Sequence, residues 1–123
     1  MGQKPLIWVG TSLKDLRAFP DDVKDVMGFA LSEAQNGRKH RDARPLKGFR
    51  GAGVLEIIDD FDGDTFRAVY TVKLAGAVYA LHAFQKKSKT GIGTSKSDLD
   101  MVERRLRLAR VHHNKQNSES DND

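Results

Sequence analysis

His82-Ala83-Phe84-Gln85-Lys86-Lys87-Ser88-Lys89 places an imidazole, an aromatic ring and three ammonium groups directly after an apolar run, Ala77 to Leu81. Together these groups can hold a phosphodiester and move its protons. Imidazole exchanges protons near neutral pH, ammonium groups offset charge building on phosphorus, and an aromatic ring can stack a splayed base. The same residues also read plainly as a charged strand end, because lysines at a sheet edge discourage pairing with another chain. What separates the two readings is which other side chains share their surface.

Successive side chains of a strand point to opposite faces. Turns at Asp62-Gly63-Asp64 and Ala75-Gly76 divide three strands, Val54 to Asp59, Thr65 to Leu74 and Ala77 to Lys86, which should form an antiparallel meander. Phe66, Ala68, Tyr70, Val72 and Leu74 make the apolar set of the middle strand and are expected to face the helices. Arg67, Val69, Thr71 and Lys73 then face away. Leu55, Ile57, Tyr79, Leu81 and Ala83 are expected inside; Val78, Ala80, His82, Phe84 and Lys86 face out. Provided no bulge shifts the register, Glu56, Arg67, His82, Phe84 and Lys86 look onto one open surface, with Lys87 and Lys89 at its rim.

Such a set supplies what RNA cleavage by its own 2′-hydroxyl requires. One group removes the 2′ proton, cations stabilise the phosphorane, and another group protonates the departing 5′ oxygen. Glu56 and Arg67 also read as a cross-strand ion pair, worth little when exposed, and Phe84 as a core residue.

The elements that must position this face come earlier and later in the chain. Leu6 to Val9 reads as a first strand ended by Gly10, and Thr11 or Ser12 as the cap of a short helix carrying Leu13, Leu16 and Phe19, stopped by Pro20. Asp21 or Asp22 caps a second helix, whose Val23, Val26, Met27, Ala30, Leu31 and Ala34 follow helical spacing until Asn36-Gly37. A basic loop, 38–53, leads into the meander. A last helix, with Ser97 as cap and Asp100 three residues on, carries Leu99, Val102, Leu106 and Ala109 on one stripe. The order β-α-α-β-β-β-α predicts an α+β fold, helices on one face of a mostly antiparallel sheet. Residues 1–113 are expected to form a single domain and 114–123 a disordered polar tail.

Composition narrows the partners. The 123 residues carry 21 bases and 17 acids; three of those acids (Glu119, Asp121, Asp123) sit in the tail, leaving 21 bases against 14 acids elsewhere. Six bases fall within residues 38–50 and nine between Lys86 and Lys115, against one and three acids. That clustering favours a polyanion. The absence of cysteine excludes disulfides, thiolate catalysis and cysteine-held zinc. Adjacent His112 and His113 cannot face one metal from one side of a helix, and GIGTSKS lacks the spacing of a phosphate loop, so no metal or cofactor is expected. With no long apolar run and no secretory leader at the start, a cytoplasmic protein without membrane contact is expected.

The blocks SLKDLRAFPDDV, RPLKGFRGAGVLEI, FRAVYTV and YALHAFQKKSKTG, in this order and spacing over roughly residues 5–112, resemble the phage-derived branch of the RelE/HigB toxin superfamily of bacterial type II toxin-antitoxin systems. The resemblance implies a small RelE-like α+β toxin. It implies an endoribonuclease, an mRNA interferase, that cleaves messenger RNA on the ribosome without metal, inhibits translation and is neutralised by a cognate antitoxin of helix-turn-helix type. Its recurrent Glu, Arg and His-x-Phe-x-Lys-Lys positions fall on Glu56, Arg67, His82, Phe84, Lys86 and Lys87. Arg67 with Lys86 or Lys87 would then stabilise phosphate, His82 or Glu56 would transfer protons, and Arg41, Arg44, Lys47 and Arg50 would grip ribosomal RNA. Lys73, Phe84 and Lys89 complete the expected RNA contacts. Relatives that poison DNA gyrase in the manner of ParE, or that only bind RNA, are the alternatives.

Overall fold

The computed structural model describes residues 3–49, 51, 53–86 and 94–121. Its elements run β1 (Leu6–Trp8), α1 (Ser12–Arg17), α2 (Asp21–Gln35), β2 (Ala43–Pro45), β3 (Val54–Phe61), β4 (Asp64–Thr71), β5 (Val78–Lys86) and α3 (Lys96–Asp121). The five strands form one sheet in the order β1-β5-β4-β3-β2. Only β1 runs parallel to its neighbour, β5; the other pairs are antiparallel.

Local chemistry accounts for the boundaries. Asp21 and Asp22 occupy the first turn of α2, where carboxylates complement the positive end of the helix, and Pro20 precedes them as N-cap. Val23, Met27, Ala30, Leu31 and Ala34 are buried on one stripe, as their spacing predicts. The β3–β4 hairpin turns on Asp62 and Gly63, both at positive φ (52° and 84°), the geometry that matches strand twist in a two-residue loop. The expected basic loop contains one unforeseen strand, β2. Its Ala-Arg-Pro sequence has little strand character, but Pro45 needs no N–H on a sheet edge, and the pairing sets Arg44 opposite Glu56.

Two corrections concern the faces of the sheet. Helices α1 and α2 pack with Ile57, Phe66, Ala68 and Tyr70, whereas α3 packs with Val54, Val69, Tyr79 and Leu81. Residues 68, 69 and 70 alternate between these two cores, so α3 covers the face expected to be open. The α+β class and element order stand, with helices on both faces instead of one. The physical reason is the stripe of Val102, Leu106 and Ala109, which buries as completely as that of α2.

The second correction is a bulge. Val69 pairs with His82 but Tyr70 pairs with Ala80, leaving Leu81 as an extra residue in β5. Alternation therefore reverses there. Tyr79 and Leu81 pack with α3 on the side of His82 and Phe84, while Val78 and Ala83 join the α1–α2 core. The segment expected as a disordered tail continues α3 as helix to Asp121.

Tyr70 is wholly buried, and among the described residues its hydroxyl has no hydrogen-bond partner. Burial pushes its pKa up to about 12. A buried polar group without a partner costs about 1–3 kcal/mol, so Tyr70→Phe is expected to stabilise the fold by about 1 kcal/mol. A higher urea midpoint at unchanged slope would report it, and a lower midpoint would show that the hydroxyl is satisfied.

Candidate functional site

Cross-strand registry builds the site in rows. Arg44, Glu56, Val69 and His82 lie side by side across β2, β3, β4 and β5, and Ile58, Arg67 and Phe84 form the next row. Arg67 is thus diagonal to both Glu56 and His82. Because the bulge falls before His82, the residues the site needs stay on one face, joined there by the first turn of α3.

Glu56 and Arg67 are each only 4% exposed. The Arg67 Nη1 donates to Glu56 Oε2 at 3.0 Å and to the Thr94 hydroxyl at 3.0 Å. Arg44, with a side chain 60% exposed, reaches the other carboxylate oxygen through Nε at 3.3 Å. One carboxylate thus serves two guanidinium groups, one buried and one at the surface. The pair is therefore not the weak, exposed ion pair that strand spacing alone allowed.

The imidazole has its own support. His82 Nε2 lies 2.8 Å from Asp98 Oδ1, and the ring stacks on Phe84 with centroids 4.6 Å apart and planes 25° from parallel. Asp98 is held in turn by Ser95: the serine hydroxyl donates to Oδ2 at 2.7 Å and accepts from the Asp98 N–H at 3.1 Å. An ionised carboxylate only accepts, which assigns the proton to Nε2 and leaves the Nδ1 lone pair available. Nδ1 is buried without a hydrogen-bond partner among the described residues.

A cleft of about 600 Å³ opens beside these groups. Glu56, Arg67 and Thr94 line it, with Arg44 and Lys47 among its cationic residues and Pro45, Leu46 and Leu99 on its apolar sides. A smaller hollow of about 340 Å³ is bordered by Arg41, Asp42, Arg44 and Ile58.

The structure brings together Glu56, Arg67, His82 and Phe84, with Arg44 and Lys47 at the same cleft. Phe84 also packs against the α3 core, so it is both ring platform and core residue. Lys86 is half-buried at the end of β5, opposite Thr65. Arg41 borders the smaller hollow instead of the cleft. Lys73 is exposed beyond β4, its aliphatic stem laid over Gly53, and does not line the cleft. Arg50, Lys87 and Lys89 lie outside the described residues.

Sequence reading missed Thr94, Ser95 and Asp98. The signal is present but doubled: Ser-x-x-Asp occurs at Ser95–Asp98 and again at Ser97–Asp100, and the sequence alone does not separate the two as caps. The helix begins at Lys96, so Ser95 caps it.

A fourth missed residue is Arg105, which is buried on α3. Its Nη1 donates to the Leu81 carbonyl in the bulge at 3.0 Å and its Nη2 to the Thr11 hydroxyl at 2.9 Å, while Thr11 donates to Asp15 at 2.8 Å. Burial lowers its pKa from the ordinary guanidinium value, and Asp15 opposes that shift. Gly10, at φ 59°, lets the guanidinium approach; a Cβ there would stand 2.8 Å from Nε. Arg105 therefore clamps the bulge that orients His82. His112 and His113 are fasteners too: His112 Nδ1 lies 2.8 Å from the Tyr79 hydroxyl, and His113 Nε2 lies 2.9 Å from the Ala75 carbonyl.

Among the described residues no group of three or more His, Asp or Glu side chains could hold a metal, and no helix is long and apolar enough to cross a membrane. The family model "Phage derived protein Gp49-like (DUF891)" matches residues 14–107. No curated protein matches. Among solved structures, an arginine-to-alanine double mutant of the E. coli toxin RelE in the free state superposes with a TM-score of 0.54, covering 89% of this chain and 99% of that chain at 16% identity. Identity that low speaks for the fold alone. The chain belongs to the phage-derived Gp49-like family, and its sheet and helices have the RelE fold.

Proposed function

We propose that this protein is the toxin of a type II toxin-antitoxin pair and acts as an endoribonuclease on ribosome-bound messenger RNA, in the cytoplasm. One observation carries the reading: two hydrogen-bonded sets, Glu56–Arg67–Thr94 and His82–Asp98–Ser95, stand on one sheet face and are tied to the same end of α3.

His82 is the proton-transfer group in this mechanism. With Nε2–H committed to Asp98, Nδ1, uncovered as RNA displaces the side chains that bury it, accepts the 2′ proton as that oxygen attacks the adjacent phosphorus; the P–O5′ bond breaks as the new P–O2′ bond forms, and the departing 5′ oxygen takes a proton from water. Arg67, fixed by Glu56 and Thr94, stabilises the charge on the phosphorane. Glu56 is less suited to proton removal because both of its oxygens already accept from guanidinium groups. Lys86 adds positive charge at the end of β5. Arg41, Arg44 and Lys47 on the outer side suit ribosomal RNA. The reaction uses no metal, and a helix-turn-helix antitoxin is the proposed neutralising partner.

The test is cleavage by the purified chain added to translating ribosomes, with cut sites mapped by primer extension. Message cut at defined positions by the unaltered chain, and left whole by His82→Ala, is the expected result. Intact message with the unaltered chain would overturn the proposal.

A further inference from the structure

The cleft beside Arg67 has a floor chemistry that phosphate does not explain. Glu56 is a buried carboxylate, and a phosphate placed against it would face like charge. A neutral group with hydrogen-bond donors would not. The volume of about 600 Å³ lies within the ~300–1,000 Å³ usual for small-ligand sites, and Pro45, Leu46 and Leu99 provide apolar surface for a flat ring.

The polar pattern selects among bases. A carboxylate offers about four lone-pair positions, and Arg44 and Arg67 each make one bond of 3.3 and 3.0 Å to it, leaving both oxygens able to accept again. Two adjacent acceptors beside a guanidinium donor complement two adjacent donors beside an acceptor. Only guanine presents that sequence on its pairing edge, as N2–H, N1–H and O6. Adenine and cytosine each offer one donor next to a ring acceptor, and uracil one donor between two carbonyls. Single-stranded RNA exposes these edges to a protein.

We propose that this cleft binds a guanine base of the RNA, with Glu56 accepting from N1–H and N2–H and Arg44 or Arg67 donating to O6. This rests on the nuclease reading for its biological substrate but not for its chemistry. Two strand spacings separate Glu56 from His82, about 10 Å between backbones. That span lets a base engage Glu56 while the phosphate of the same nucleotide lies toward Arg67 and His82. Guanine is thereby the base on the 5′ side of the cut.

The test is calorimetric titration of the full chain with 3′-GMP, 3′-AMP, 3′-CMP and 3′-UMP. One well-made pair of hydrogen bonds discriminates by roughly 5- to 150-fold, so 3′-GMP is expected to bind at least about tenfold tighter than the others, with 3′-IMP, which lacks the N2 amine, in between. Glu56→Gln, which replaces one acceptor by a donor, should abolish the preference; if that variant does not fold, the titrations of the unaltered chain still decide. Equal binding of all four nucleotides, or tighter binding of any other base, overturns the proposal. Binding of 5′-GTP in preference to a short RNA carrying a single guanine also overturns it, because free nucleotide would then be the ligand. Guanine-selective binding without RNA cleavage would leave this site standing and remove the nuclease reading; cleavage without base preference would do the reverse.

Discussion

Arg67→Ala is expected to destabilise the fold by about 3 kcal/mol, the lower end of what removal of one partner from a buried ion pair costs. The loss leaves Glu56 buried with its second oxygen unanswered and removes the hydrogen bond to Thr94. Arg44 moderates the effect because it still bonds the other oxygen. Its own replacement, Arg44→Ala, should cost no more than about 1 kcal/mol, since an exposed guanidinium gains little from a pair that water screens. The contrast is the test. Urea unfolding of both variants should separate them by about 2 kcal/mol, and equal losses would mean that the buried arginine does not hold the carboxylate. Glu56→Ala/Arg67→Ala should recover part of the loss, because neither charge is then left uncompensated. Cleavage should vanish in every variant lacking Arg67.

Much of this arrangement was legible in the residues. The helical spacing of α2 and the turn residues of the β3–β4 hairpin depend on short stretches of sequence, and alternation brought Glu56, Arg67, His82, Phe84 and Lys86 to one face. What could not be read was the bulge at Leu81. A bulge reverses alternation without leaving a residue type that marks it, and here its freed carbonyl is answered by Arg105, 24 residues away. Tyr79 and Leu81 face opposite to the expected side for that reason, while His82, Ala83 and Phe84 face as expected because they lie beyond the shift.

Burial of the site was equally hidden. Sequence periodicity shows that α3 has an apolar stripe but not which face of the sheet receives it. Once α3 lies across β5, its first turn supplies Asp98 and the two residues before it supply Thr94 and Ser95, and the surface expected to be open becomes a cleft beside a helix. The basic loop hid a three-residue strand for a related reason: only pairing with β3 makes Ala43–Pro45 extended, and that pairing is what aligns Arg44 with Glu56.

On the proposed mechanism, Asp98→Asn is the substitution with the largest effect on chemistry relative to its effect on the fold. The carboxylate holds the proton of His82 on Nε2; an amide can instead donate, turning the ring to the tautomer whose Nδ1 carries the proton and cannot accept another. A loss of about 10²–10⁴-fold in the cleavage rate is expected, the range that a positioned general base contributes. The fold should barely respond. The Asp98 side chain is 28% exposed, and asparagine can still accept from the Ser95 hydroxyl and be capped through its backbone N–H. A stability change under about 1 kcal/mol is therefore expected. His82→Ala should lose activity to a similar extent, and the double variant should be no worse than either alone, as for groups that work as a unit. Single-turnover rates of the unaltered chain, both single variants and the double variant on a short RNA provide the measurement. Full activity in Asp98→Asn would remove His82 as the proton acceptor and return Glu56 to that role.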